Sequence, residues 1–360
     1  MKAKTIQTTI ASKMADWLLT LPEELRDQVE KDIVVTGGSI ASMFLQENVN
    51  DYDMYFRSIK TVLLVSRHYC KKWNTDYDSH LTPELRITFD GLMPLEDYDD
   101  ELCFENHSFT YENGQKERRN DDDRFIISPY ASDLDEIINN HVDKVKRVEI
   151  FIRSEGICDS SDDELEVQNK ITEDIHKAVE DHEKDEENTK YNIRYLSSNA
   201  ITLSDKVQIV IRFYGEPSEI HDTYDFVHAT NYWTHDDGLV TNTRALEAIL
   251  SRELIYTGSK YPLASIFRTR KFILRNWSCH VGNYLKMAIQ LNEFNLFDHE
   301  VLQEQLTGVD AAYLNGVISA VRTKIKDNPG FQFNAMYLCE VCDRLMGESR
   351  DDSDKAEEEK

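Results

Sequence analysis

The spacing of apolar residues changes several times along the N-terminal third of the chain, and each change predicts a new element. Residues 5–30 carry apolar side chains at helical spacing and predict two short helices. Residues 33–35 form a short apolar run that predicts a buried strand, and a glycine-rich turn comes directly after it. Residues 40–46 then predict a short amphipathic helix, which leads to a second strand carrying Asp51 and Asp53.

The remaining pattern alternates between helices and strands before it becomes helical. Residues 60–73 predict a helix that covers a sheet, and residues 217–223 predict a two-turn helix beginning at a proline. From residue 242 onward the pattern predicts helices throughout, among them one over residues 281–291. Runs rich in β-branched and aromatic residues predict strands at residues 86–89, 101–104, 108–111, 148–152, 191–203, 207–213 and 224–233.

These elements predict an α+β fold, in which a small mixed sheet with flanking helices is interrupted by an insertion. We place the first half of the sheet domain in residues 1–74, an insertion in 75–190 and the second half of the sheet in 191–240. A helical C-terminal domain is expected over residues 241–346 and a disordered acidic tail over 347–360.

The net charge of −26 is concentrated in two segments of the chain. Residues 90–190 contain 31 acidic against 12 basic side chains, and the tail is acidic as well. The sheet segments are therefore close to neutral, which permits a polyanionic substrate there but argues against broad DNA binding. Six scattered cysteines, no membrane-length apolar run and no apolar leader segment together predict a cytoplasmic protein without a membrane partner.

Asp51 and Asp53 are two residues apart on a predicted strand, so both carboxylates are expected on one face. Two carboxylates this close repel each other unless a cation lies between them, and oxygen ligands of this kind suit Mg²⁺ or Mn²⁺. Gly37 and Gly38 permit close approach of the backbone to a ligand, and the helix after them offers free N–H groups to a phosphate. A phosphate site beside a metal pair indicates phosphoryl or nucleotidyl transfer.

Gly37-Gly38-Ser39, followed after eleven residues by Asp51-Tyr52-Asp53-Met54, resembles the signature of the DNA polymerase beta-type nucleotidyltransferase superfamily. The acidic chain with this motif also looks like nucleotidyltransferase-like proteins of bacteriophages. The resemblance implies that Gly37, Gly38 and Ser39 hold the phosphates of a nucleoside triphosphate. The alternative interpretation of the motif is a tight turn beside a surface aspartate pair.

The same resemblance implies a third carboxylate on a neighbouring strand that completes the metal site. Asp225 is the best candidate, because it enters the apolar run 224–233 after a short helix. Asp222 is a competing candidate, although it is expected on that helix. Alternatively, Asp225 caps the helix or ends a turn.

Arg268, Lys271 and Arg275 recur at i, i+3 and i+7 and are expected on one face of a helix. Beside a metal site, such a stripe would clamp a triphosphate; otherwise it is a solvated basic face. It resembles part of a segment of CCA-adding enzymes and bacterial poly(A) polymerases. The Arg-Asp that comes after Gly-Gly in those enzymes is absent here, where Ser39 is followed by Ile40.

We therefore expect an ATP-binding or other NTP-binding, magnesium-dependent nucleotidyltransferase that transfers a nucleoside monophosphate to an acceptor hydroxyl and releases pyrophosphate. The acceptor is an RNA end, a protein or a small molecule. The alternative is a catalytically inactive nucleotidyltransferase-like scaffold that uses its acidic insertion to bind a partner.

Overall fold

The structure is a computed structural model that describes most of the sheet domain and part of the C-terminal region. The described residues are 1–77, 79–91, 103–104, 108–110, 116–118, 124–154, 164–185, 190–296, 298, 301–302, 305, 320, 323–324, 328, 336–337, 340–341 and 343–344. The tail 347–360, most of residues 310–346, and residues 155–163 and 186–189 of the acidic stretch therefore lie outside the described residues.

Helices and strands alternate through the described part of the chain. The helices are α1 (Ala3–Leu18), α2 (Glu23–Asp32), α3 (Gly38–Leu45), α4 (Ile59–Asp76), α5 (Ser132–Asn140), α6 (Glu164–Asp185), α7 (Pro217–His221), α8 (Thr243–Ser251), α9 (Pro262–Leu274) and α10 (Val281–Leu291). The strands are β1 (Ile33–Thr36), β2 (Tyr52–Phe56), β3 (Leu81–Phe89), β4 (Cys103–Phe104), β5 (Ser108–Thr110), β6 (Lys116–Arg118), β7 (Arg124–Ile127), β8 (Val145–Ser154), β9 (Ile193–Leu196), β10 (Ala200–Leu203), β11 (Val207–Tyr214), β12 (Tyr232–Thr234), β13 (Gly238–Val240), β14 (Glu253–Leu254) and β15 (Ser278–Cys279).

The central sheet joins strands from both sides of the insertion, in the order β13-β12-β1-β2-β11-β10-β9. Its neighbouring strands are antiparallel except for β2 and β11, which are parallel. A parallel pair needs a long crossover connection, and the segment containing α4 and the insertion provides it. The predicted α+β class with a mixed sheet is confirmed.

The two faces of the central sheet differ in polarity. Val35, Met54 and Ile209 are in register on β1, β2 and β11, and all three are fully buried. They belong to one hydrophobic cluster with apolar residues of α1 and α4. The adjacent row of side chains points to the opposite face, because successive residues of a strand alternate in direction. Burial of the apolar row against these helices leaves the adjacent row on the opposite face of the sheet.

The insertion contains a second sheet with the order β4-β7-β3-β8. Strand β3 pairs with both β7 and β8, and α4 packs against β3 and β8 as well as against β2 and β11. Helix α4 is therefore shared between the two sheets. One unit of the chain comprises residues 1–222 and 228–246, and a second comprises residues 223–227 with the described residues from 247 onward.

Three strand predictions are corrected by the structure. Strand β2 begins at Tyr52, so Asp51 immediately precedes it. The run 191–203 forms two strands, β9 and β10, joined by a turn in which the backbone N–H of Ser197 donates to Ala200 (2.9 Å). The expected strand over 224–233 is a 3-10 turn, Val227–Ala229, followed by the short β12. In the last case, contacts of Asp225 with Thr257 and of Phe226 with Tyr256 hold the first part of the run outside the sheet.

The second unit is not entirely helical, since β14 and β15 form a short parallel pair. Helix α10 lies at the predicted position, and α9 ends at Leu274, one residue before Arg275. Among the described helices, none combines the length and the apolar character needed to cross a lipid bilayer.

Candidate functional site

The glycine turn connects β1 to α3 with a backbone conformation that favours glycine. Gly37 has φ 91° and ψ −156°, a region essentially restricted to glycine. Gly38 has no such restriction, and a Cβ built there would meet no atom within 4 Å. Gly37 is therefore needed for the turn itself, whereas Gly38 leaves open space beside the start of the helix.

The first turn of α3 has hydrogen-bond donors that no side chain caps. The first N–H groups of a helix lack partners within the helix, and the helix dipole adds partial positive charge there. Ser39 lies in this turn, with 3% of its surface exposed, and its Oγ makes no hydrogen bond to any described residue. The chemistry of this donor set fits an anion such as a phosphate.

Asp53 lies on β2, directly opposite Thr36 on β1, and Thr36 immediately precedes Gly37. Burial, followed by the charge of Asp51, raises the pKa of Asp53 to about 7. The charge of Asp51 therefore acts on Asp53, although Asp51 lies just before the strand and not on it as predicted. Two interacting carboxylates, one of them hard to ionise, are suited to a divalent cation that would remove their repulsion.

A row of polar side chains crosses the sheet through this pair of strands. Thr36, Asp53 and Gln208 are in register on β1, β2 and β11, so their side chains share one face. Gln208 thus lies at the position nearest to Asp53 on the parallel neighbour, where an acidic residue would complete a three-carboxylate site. Gln208 was not predicted from the sequence, because the pattern indicates the strand but not its register against β2.

Asp225 belongs to the second unit of the chain, where it is held by local contacts. Its carboxylate Oδ2 lies 2.5 Å from Nη1 of Arg268, and its carbonyl accepts a hydrogen bond from the backbone N–H of Thr257 (2.9 Å). The adjacent Phe226 forms an isolated antiparallel bridge with Tyr256. A role for Asp225 in the metal site stays a prediction. The partner of Asp225 in the structure is Arg268, a residue of the predicted basic stripe.

The stripe residues differ in their surroundings. Arg268 is partly buried against Asp225, Lys271 is exposed on α9, and Arg275 lies beyond the end of α9 over the ring of Phe272. Within the described residues, no cluster of three or more histidine, cysteine, aspartate or glutamate side chains is positioned to hold a metal ion. The carboxyl pair of Asp51 and Asp53 would therefore need further ligands from substrate or water to hold a cation.

His221 is a second residue of this face that the sequence analysis did not select. Its Nε2 lies 2.9 Å from Oγ1 of Thr36, and its ring contacts Tyr232. Burial lowers the pKa of His221 to about 4, while the charge of Asp222 acts in the opposite direction. The imidazole is therefore neutral at pH 7. Asp222 follows the last residue of α7, and its charge favours the protonated form of this histidine.

Replacing Asp225 and Arg268 by neutral residues, singly and together, tests whether the ion pair between them stabilises the fold. We expect Asp225→Asn and Arg268→Gln each to lower the free energy of unfolding by about 1.5–3 kcal/mol, the usual range for hydrogen bonds to charged groups. The double variant should lose less than the sum, with a coupling of about 0.5–3 kcal/mol. Urea denaturation of the wild type, the two single variants and the double variant measures these free energies of unfolding. Additive losses would contradict the pairing, and loss of Mn²⁺ binding in Asp225→Asn alone would instead assign Asp225 to the metal site.

Comparison with known proteins identifies one family. A family model described as "Gabija anti-defense 2 family protein" matches residues 8–252, which cover the central sheet, the glycine turn and the aspartate pair. No curated protein and no solved structure matches the chain.

Proposed function

Since the family model spans more than half of the chain, this protein belongs to the Gabija anti-defense 2 family, and from that premise we propose that it is a metal-dependent nucleotidyltransferase. One observation carries the proposal. The glycine turn begins one residue after Thr36, and Thr36 is the in-register neighbour of Asp53. An anion at the start of α3 and a cation at Asp53 would therefore be adjacent, as a metal–triphosphate complex requires.

Each part of the site has a role in the proposed transfer. Asp51 and Asp53 hold Mg²⁺ or Mn²⁺, and Gly37, Gly38 and Ser39 hold the β and γ phosphates of an NTP. When bound, the metal would screen the negative charge of the phosphates. The positive N-terminus of α3 stabilises the charge that accumulates on the leaving phosphates.

The transfer replaces one phosphorus–oxygen bond by another. The acceptor hydroxyl oxygen forms a bond to the α phosphorus while the bond from that phosphorus to the α–β bridging oxygen breaks. The bridging oxygen leaves with the electron pair as part of pyrophosphate. The hydroxyl proton passes to solvent water. Gln208, the neighbour of Asp53, cannot accept this proton because an amide is not basic.

We base the choice of acceptor on the anti-defense role that the description of the family names. An anti-defense protein of this kind would act by attaching a nucleotide to a component of Gabija, and a hydroxyl side chain of a Gabija protein is the acceptor we favour. The modification would add a charged, bulky group to that protein. An RNA end or a small molecule would serve the same chemistry.

Label transfer tests the proposal directly. The protein is incubated with each α-³²P-labelled NTP, Mg²⁺ or Mn²⁺, and either purified Gabija proteins or total RNA from the same cells. We expect label to enter the Gabija protein fraction with wild type, and more than about 100-fold less with Asp53→Asn, because even residues that merely support metal ligands cost about 10–100-fold when removed. Absence of label from every fraction with all four NTPs and both metals would contradict the proposal.

A catalytically inactive scaffold is the second candidate, and Gln208 is the observation that favours it. An amide occupies the position beside Asp53 where an acid would be expected. Cells that carry Gabija and express Asp53→Asn separate the candidates. A scaffold predicts unchanged inhibition of Gabija by this variant, whereas the enzyme predicts its loss.

A further inference from the structure

Two buried hydrogen-bond donors close to the glycine turn lack partners among the described residues. One is Oγ of Ser39, in the first turn of α3, and the other is Nδ2 of Asn231. Ser39 is 3% exposed and Asn231 is fully buried. A buried donor without a hydrogen bond is unfavourable, so two of them near one turn indicate that a ligand completes the site.

Asn231 is held against the turn by the backbone. The hydroxyl of Thr36 lies 2.9 Å from the carbonyl oxygen of Asn231, and the N–H of Gly37 donates to the carbonyl of Ala229 (3.2 Å). Thr36 is also paired with Tyr232, the residue after Asn231. The backbone of residues 229–231 therefore lies beside the backbone of Thr36 and Gly37, and Asn231 is adjacent to the glycine that begins the turn.

The orientation of the Asn231 amide is determined by its hydrogen bond. Oδ1 accepts from the backbone N–H of Asn242 (2.9 Å), and only an oxygen can accept this bond. The other terminal atom of the amide is therefore the nitrogen Nδ2. Interchanging Oδ1 and Nδ2 would place the Nδ2 donor against the N–H donor of Asn242. Asn242 is itself fixed, because its side chain donates to Oγ1 of Thr230 (3.0 Å).

The two donors and the open space at Gly38 suit a phosphate group. Gly38 leaves open volume beside the start of α3, and the uncapped N–H groups of that helix face an anion with a favourable dipole. A side-chain amide and a hydroxyl add directional donors without adding charge. We propose that Asn231 is a further phosphate-binding residue, whose Nδ2 donates to a terminal phosphate oxygen of a bound NTP opposite Ser39. The inference rests on the proposed function, because it takes the NTP to be the ligand of this turn.

A binding series with matched variants tests the role of Asn231. The probe is the Mg²⁺ complex of a non-hydrolysable ATP analogue, followed by isothermal titration. Asn231→Asp keeps the acceptor for Asn242 but replaces the donor by a negative charge, and Asn231→Ser removes the amide without adding charge. We expect at least tenfold weaker binding in both, with the larger loss in Asn231→Asp. Asn140→Asp, an equal change of charge at the exposed end of α5, should bind as wild type does.

A measurement on the wild-type protein guards against misfolded variants. In ¹⁵N-labelled protein, the side-chain amide signals of Asn231 should shift when the analogue binds, while Mg²⁺ alone should leave them nearly unchanged. Wild-type affinity in a folded Asn231→Ser variant, or unshifted Asn231 amide signals in a saturated complex, would overturn the inference and leave the proposed function standing. A wild-type protein that binds the analogue at no accessible concentration would overturn both.

Discussion

Replacing Asp53 with asparagine is expected to remove metal-dependent nucleotide binding and to make the protein more stable at neutral and alkaline pH. The amide cannot contribute the negative charge that a divalent cation needs, so affinity for Mn²⁺ should fall by more than about 100-fold. The same amide resembles the protonated carboxyl group and removes the repulsion from Asp51. Isothermal titration and thermal unfolding of the same samples measure both effects.

The sign of the stability change is set by the pKa of Asp53. The pKa is raised from 3.8 to about 7, mainly by burial, so the folded state binds more protons than the unfolded state between these values. The contribution of Asp53 to the stability of the wild type should therefore be greatest below pH 4, fall as the pH rises, and level off above pH 7. At pH 8 the asparagine variant should be more stable by roughly 2–4 kcal/mol, and at pH 4 the two proteins should be similar.

A matched control separates this effect from a general loss of negative charge. Asp27→Asn on α2 removes one exposed charge from the same chain and should change neither metal binding nor the pH profile. Mn²⁺ should stabilise the wild type and the control at pH 8 but leave Asp53→Asn unaffected. Equal stabilisation of all three proteins by Mn²⁺ would place the metal elsewhere.

Alanine at Gly37 and at Gly38 should have opposite effects on stability but the same effect on phosphate binding. Gly37→Ala forces a side chain into a conformation essentially restricted to glycine, so the free energy of unfolding should fall by about 1–3 kcal/mol. Gly38→Ala lies in the first turn of α3 with open space around it, and should leave stability unchanged or raise it by about 0.4–1 kcal/mol.

The Gly38 variant tests the phosphate site without disturbing the fold. Its methyl group would occupy the open volume beside the helix start, so affinity for an Mg²⁺–NTP complex should fall at least tenfold while Mn²⁺ binding is retained. Urea denaturation and isothermal titration of both variants check the pair of effects. Full nucleotide affinity in Gly38→Ala would show that the phosphates bind elsewhere.

The elements nearest the glycine turn were predictable from sequence because their signals are local. The apolar run before Gly37 predicted β1, and helical periodicity predicted α3, although the helix begins at Gly38 instead of Ile40. The spacing of Asp51 and Asp53 predicted their interaction, and the raised pKa of Asp53 is consistent with it. Helix α10 begins and ends at the predicted residues.

Features that depend on contacts distant in sequence were not predictable. The parallel pairing of β2 with β11 places Gln208 beside Asp53, across about 150 residues of intervening chain, and no local pattern specifies that register. The contact between Thr36 and His221 has the same origin. The apolar run 224–233 predicted one strand, but tertiary contacts of Asp225 and Phe226 hold its first part outside the sheet.

A crystal structure of the protein with Mn²⁺ and a non-hydrolysable NTP tests the central claim most directly. The account predicts an anomalous scattering peak between the carboxylates of Asp51 and Asp53, with the triphosphate at the start of α3 beside Gly38. A metal–nucleotide complex bound at another place, or crystals at saturating ligand with both the aspartate pair and the helix start unoccupied, would contradict it.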